Sequence, residues 1–269
     1  MHRSGTSLIS HWLFKCGLFL GENLNGKGVG NIEGHFEDLE FLRMHEEILR
    51  ADNLPNDGLT EERLSEINIY QKAKIKAILK IKDNLYPEWG WKEPRTCLFL
   101  DLYRELLPDA YYLIVIRDFP SVINSLIKRD FVEVDKKYLA RKYLSRLIWT
   151  YFRRTRRLQK FYQINVERYL KVWIAYNEKI LKQITSLQPE DFLVVDYVEL
   201  QKTDHAVFTY IKEQWKFNLN FYPFKEVYKE SLMSKNTNLD QFIQDKTLIH
   251  KANVLKKKLK YYLNEKKMD

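Results

Sequence analysis

Five residues near the start of the chain, Arg3-Ser4-Gly5-Thr6-Ser7, set hydroxyls and a guanidinium around a glycine. Where such a loop runs into a helix, backbone N–H groups, hydroxyls and guanidinium all aim donors at one point, which is the chemistry of an anion cup. The same residues also suit a plain helix N-cap, with Ser4 or Thr6 capping while Gly5 turns.

A second candidate is Ile116-Arg117-Asp118-Phe119-Pro120-Ser121-Val122-Ile123-Asn124-Ser125. The apolar run Tyr111 to Ile116 predicts a buried parallel strand and Pro120 suits a first helical turn. Arg117 then stands at a strand's C-terminal end, with Ser125 on the next helix, and both can reach one phosphate. The alternative is an Arg117–Asp118 ion pair beside a surface serine. In Trp89-Gly90-Trp91-Lys92-Glu93-Pro94-Arg95 the charges cluster at an apolar boundary, which suits catalysis or substrate holding, or else a structural Glu93–Arg95 pair. In Glu33-Gly34-His35-Phe36-Glu37-Asp38, one carboxylate could serve as a general base, or the segment could be an acidic first helical turn. Gly21 to Gly28 has Walker-like spacing, but Gly28 stands where a magnesium-binding hydroxyl belongs. It reads as a glycine-rich loop within 21–34, which holds five of the nine glycines.

These residues need elements to position them. Leu8, Ile9, Trp12, Leu13 and Cys16 recur on one helical face directly after the first loop. Further helices are expected near 37–50, 61–82, 98–107, after Pro120, across 131–187 and near 203–215, with a second strand at Phe192 to Val195. Strands alternating with helices predict an α/β fold with a parallel β-sheet flanked by helices, in a single domain over 1–269 with a helical insertion about 131–187 and a basic C-terminal tail about 250–269.

Composition sets the outer bounds. The chain of 269 residues is 45% hydrophobic, enough for a substantial core, and its formal charge of +9 favours anionic partners. Cys16 and Cys97 lack any pairing or metal spacing, which makes a reducing, cytoplasmic setting the expectation. His11 and Lys15 interrupt the apolar stretch that would otherwise resemble a secretion signal, and no apolar run approaches a membrane span.

Taken in chain order, RSGTS, GHFED, WKEPR and IRDFPSVINSL resemble the sulfotransferases that use 3'-phosphoadenosine 5'-phosphosulfate (PAPS), bacterial members of the carbohydrate branch in particular. The resemblance covers residues 1 to 129 well and FLVVDYVEL more loosely. It implies a nucleotide-binding fold of the P-loop-like kind, with PAPS as donor cosubstrate and no metal. By the same resemblance Arg3, Ser4, Gly5, Thr6 and Ser7 hold the 5'-phosphosulfate, and Arg117 and Ser125 the 3'-phosphate. Lys92 with Arg3 would steady the leaving phosphate oxygen, and Glu37 or Asp38 would be the base. It also implies a strand ahead of the anion loop, so that Met1 is expected to be an internal residue of a longer native chain.

The implied acceptor is a hydroxyl, a glycan or glycolipid first, with no nucleic acid partner and a place in the cytoplasm or at a membrane's edge. Arg153, Arg156 and Arg157 share a helical face that is either simply solvated or docks an acidic glycan or lipid headgroup. Two rival classes remain: a P-loop kinase or hydrolase, which would need an intact Walker loop, and a nonenzymatic polyanion binder using the Lys-rich tail.

Overall fold

The helices begin and end where local chemistry dictates. The computed structural model describes residues 1–26, 34–196, 198–228 and 237–265. Helix α1 (Thr6–Lys15) starts at Gly5, whose φ of 95° lies in the left-handed region that favours glycine. Helix α2 (Leu39–Ala51) is capped by Asp38, and α3 (Ile69–Leu85) by Asn68. A short 3-10 turn (Pro94–Leu98) leads into α4 (Leu100–Leu106) and then strand β1 (Tyr112–Ile116). Helix α5 (Phe119–Leu139) is capped by Asp118 and carries Pro120 in its first turn. After α6 (Tyr143–Ile148) and a π-helical turn (Trp149–Arg153) comes the long α7 (Arg154–Ile184). Strand β2 (Phe192–Asp196), α8 (Leu200–Glu213) and α9 (Lys246–Glu265) complete the described chain.

The architecture is α/β, mostly helical, around a small sheet. β1 and β2 pair in parallel, in register from Tyr112 opposite Phe192 to Ile116 opposite Asp196. Such a pair requires a crossover, supplied by α5 to α7. One core cluster joins α2, α4, α5, α7 and α9, with Trp173, Tyr176 and Ile123 fully buried. A second packs α1 and α8 on the sheet through Trp12, Leu193 and Phe208.

Three features differ from the sequence expectation. The run at β1 predicts a fully buried strand, yet β1 is half-buried over Tyr112–Val115 while β2 is buried. The reason is a cavity of about 840 Å³ lined by Tyr111 to Val115 with Ile9, Leu13 and Trp91. Among the described residues, no strand but β2 pairs with β1. The stretch expected as a basic tail is instead helix α9, which buries Ala252, Leu255, Leu259 and Leu263; only its last residues, 266–269, lie outside the described residues. The helical region 131–187 is divided: α5 runs through to Leu139, and a turn at 140–142 precedes α6.

A buried lysine fixes the entrance to α2. Lys82 Nζ lies 2.7 Å from Glu22, 2.9 Å from Asp38 and 2.9 Å from Glu40, with Lys82 and Asp38 each 1% exposed. Gly21 makes the approach possible, since a Cβ there would come within 2.4 Å of Asp38 Oδ2. Removing the ammonium leaves a buried carboxylate without its cation. Lys82→Met is therefore expected to lose about 3–5 kcal/mol of stability, read by urea unfolding; a loss below about 1 kcal/mol would show the cluster to be solvated.

Candidate anion site

The first loop turns sharply into α1. Arg3 takes a φ of 62° and Gly5 one of 95°, and the fold buries Ser4. The Arg3 side chain reaches α5, where its Nε donates to Ser125 Oγ at 2.8 Å. Arg117, one residue beyond β1, donates from Nη1 to the Arg3 carbonyl at 2.7 Å. Residues separated by more than a hundred positions in the chain therefore meet at the C-terminal end of the parallel sheet, where ligands of open α/β sheets bind. Asp118 is occupied otherwise: its carboxylate accepts from Ser121 N at 2.8 Å as the cap of α5.

On the other side of the loop stands Lys92. Its Nζ donates to Ser7 Oγ at 3.1 Å and to Glu37 Oε1 at 2.9 Å. Glu37 accepts a further bond from Asn25 Nδ2 at 3.1 Å, and His35 Nδ1 lies 3.9 Å from it. Phe36, with a φ of 51°, stacks on His11 of α1 at 4.7 Å and so pins the segment that carries Glu37. Glu37 is buried and the Lys92 side chain is 11% exposed, and desolvation holds the Lys92 ammonium below its ordinary range despite the pull of Glu37.

The structure separates the two adjacent carboxylates. Glu37 faces Lys92 and the anion loop, whereas Asp38 turns back to cap α2 and pair with Lys82. It also divides the WKEPR segment. Lys92 points to the loop, while Glu93 and Arg95 pair in the core, as the structural alternative had it. Glu93 additionally bonds His45 Nδ1 at 2.6 Å, and Tyr103 meets His45 Nε2 at 2.7 Å. Burial pushes the Glu93 carboxyl up, but the bond and charge of His45 with the charge of Arg95 outweigh it and leave it at about 2, below the ordinary 4.5. Because the folded value is depressed, this stabilisation is complete above pH 4.5 and is lost as pH falls toward 2. Thermal melts across that window are expected to fall more steeply for the native chain than for Glu93→Gln; parallel curves would contradict the assignment.

One cation in the site escaped the sequence reading. Arg129, one helical turn past Ser125 on α5, pairs with Asp130 at 2.8 Å and is close enough to act on Arg3. Burial first, then Arg129 and Arg117, push the Arg3 guanidinium down to about 10, with Asp130 opposing. Arg3 stays protonated at neutral pH, and the crowding of positive charge favours an anion among them. The i, i+4 spacing from Ser125 was the available signal. A small cleft lined by Arg117 also takes in Lys256 and Lys260 of α9, together with Asp118 and Asp196. Among the described residues the carboxylates close enough to share a metal ion are Glu22, Asp38 and Glu40, and Lys82 stands among them. Residues 27–33, which include the last two of the Walker-like stretch and Glu33 of the next segment, lie outside the described residues.

Comparison with known proteins adds a class. Over 80 residues the chain is 34% identical to a Caenorhabditis elegans protein and 32% identical to one from Caenorhabditis briggsae, each provisionally named a protein-tyrosine sulfotransferase. The matched stretch is 30% of this chain and 30% and 28% of those proteins, so the chain spans under a third of the length of the curated relatives it matches. No family model matches the chain, and no solved structure does. The similarity supports a sulfotransferase relationship; the donor and acceptor are not part of it.

Proposed function

We propose that the chain is a sulfotransferase moving a sulfuryl group from PAPS to a hydroxyl. The observation that carries this reading is the contact chain Arg117–Arg3–Ser125 on one side of the anion loop and Ser7–Lys92–Glu37 on the other. It sets two groups of phosphate donors beside a carboxylate, which is the donor set that a doubly phosphorylated nucleotide and a proton-losing acceptor require. When bound, PAPS supplies the sulfuryl group. Arg117 and Ser125 hold the 3'-phosphate, and the backbone and hydroxyls from Ser4 to Ser7 hold the 5' end. Glu37 takes the acceptor proton as the acceptor oxygen bonds to sulfur. The bond from sulfur to the bridging phosphate oxygen breaks, and the electron pair left on that oxygen is stabilised by Lys92 and Arg3. Asp38, engaged by Lys82, leaves the base role to Glu37.

For the acceptor, a carbohydrate hydroxyl is the first reading, from the GHFED segment. A peptide tyrosine is the second, favoured by the names of the two nematode relatives. Sulfur-radiolabelled PAPS offered with a desulfated glycan or an acidic tyrosine peptide decides between them. Label transferred to either supports the enzyme and names the acceptor. No transfer to either, together with no affinity for adenosine 3',5'-bisphosphate, would overturn it.

A further inference from the structure

Between Asp135 and Glu167 the sequence contains ten lysines and arginines and no acidic residue, so this one stretch carries as much positive charge as the whole chain's net of +9. The structure shows it as a projecting helical hook, made of α6, the π-helical turn and the first turns of α7. Five of its large apolar residues point outward: Leu144 is 73% exposed, Tyr151 75%, Phe152 70% and Tyr143 65%, with Ile148 also exposed. Leu144, Ile148, Tyr151 and Phe152 follow i, i+4, i+7, i+8 spacing, one side of a helix. Such residues normally face a core, and among the described residues none covers them.

The base of the hook is firmly held. Trp149 is buried, stacks on Tyr138 at 4.1 Å, and donates from Nε1 to Asp135 at 2.9 Å. Arg154 binds both oxygens of Asp135 at 2.8 Å. The exposed apolar tip is therefore a built feature of the fold, mounted on an anchored stem. Arg141, Lys142, Arg146, Arg153, Arg156 and Arg157 surround it, all exposed.

We propose that this hook docks the protein on an anionic lipid surface, the apolar tip entering the headgroup and acyl boundary while the flanking arginines meet lipid phosphates. Two properties select a bilayer. The aliphatic Leu144 and Ile148 match an apolar phase, which a nucleic acid backbone does not offer, and the acid-free surround matches anionic headgroups. Among the described residues no helix is long and apolar enough to cross a membrane; a short amphipathic tip of this kind lies in the plane of the interface. The hook follows α5, whose Ser125 lies 14 residues before Leu139, so docking would hold the anion site roughly 20 Å from the hook's base. The proposal is independent of the sulfotransferase reading.

Flotation of the full chain with phosphatidylcholine vesicles, with and without phosphatidylserine, tests it. The chain is expected to float with phosphatidylserine vesicles at low salt and to be released at high salt. The triple variant Leu144→Ser, Tyr151→Ser, Phe152→Ser and the triple variant Arg153→Gln, Arg156→Gln, Arg157→Gln should each lose at least about tenfold in partitioning. The double variant Lys257→Gln, Lys258→Gln on α9 should not. Circular dichroism confirms that the variants fold. The proposal is overturned by any of four results: no flotation of the native chain; equal loss in the α9 variant; salt-sensitive binding indifferent to the apolar substitutions, which marks a general polyanion binder; or self-association abolished by those substitutions with no vesicle binding, which marks the hook as an interface between copies.

Discussion

Glu37→Gln is expected to lower sulfuryl transfer by about two to four orders of magnitude while leaving nucleotide affinity intact or raised. The amide keeps the shape of the carboxylate and can still accept from Asn25, so the segment pinned by Phe36 should hold its place. What disappears is the group proposed to take the acceptor proton. Lys92 simultaneously loses its carboxylate partner, 2.9 Å away, and becomes freer to meet a phosphate. Single-turnover assays and nucleotide titration on the same preparation check both halves. A parallel fall in rate and affinity would mark Glu37 as structural, and an unchanged rate would return the base role to another group.

Lys92→Met is the second large effect. The side chain retains the apolar stem and deletes the ammonium that meets Ser7 at 3.1 Å. In the proposed transfer, charge accumulates on the leaving phosphate oxygen as its bond to sulfur breaks, so the loss should fall on the chemical step, by about 10²–10³ in rate. The ground-state nucleotide, which the proposed site also holds by Arg3, Arg117 and the loop backbone, should bind with little change. A KM that rises while kcat holds would place Lys92 in uniform binding and remove it from the transition state.

The pair of candidate bases shows where sequence reading reached its limit. Glu37 and Asp38 are neighbours in the chain, and nothing local distinguishes them; the distinction comes from Lys82, far along the sequence, and from Gly21, which leaves room for Asp38. The start of α5 was legible because Pro120 suits a first helical turn and Ser125 falls on the helix that follows; its cap, Asp118, came only with the structure. Helix α9 was hidden by its lysines: Ala252, Leu255, Leu259 and Leu263 form an apolar stripe at 3-4-4 spacing, but the charge between them reads as a tail. The burial of β1 was overestimated because an apolar run reports what a strand's side chains tolerate and carries no information on the 840 Å³ cavity beside it. The exposed hook was half visible: its arginines stand out in the sequence, whereas the outward placement of Leu144 and Phe152 depends on where α5 ends and how Trp149 is anchored.

Calorimetric titration of adenosine 3',5'-bisphosphate into the native chain and into Arg117→Ala is the direct test of whether the loop and the strand end grip one nucleotide. The native chain should bind one equivalent and prefer it to ATP, which lacks the 3'-phosphate. Arg117→Ala should lose at least about thirtyfold in affinity, the equivalent of about 2 kcal/mol for deleting one side of a charge-assisted contact. Equal affinity for ATP, or an affinity untouched by the substitution, would contradict the nucleotide site.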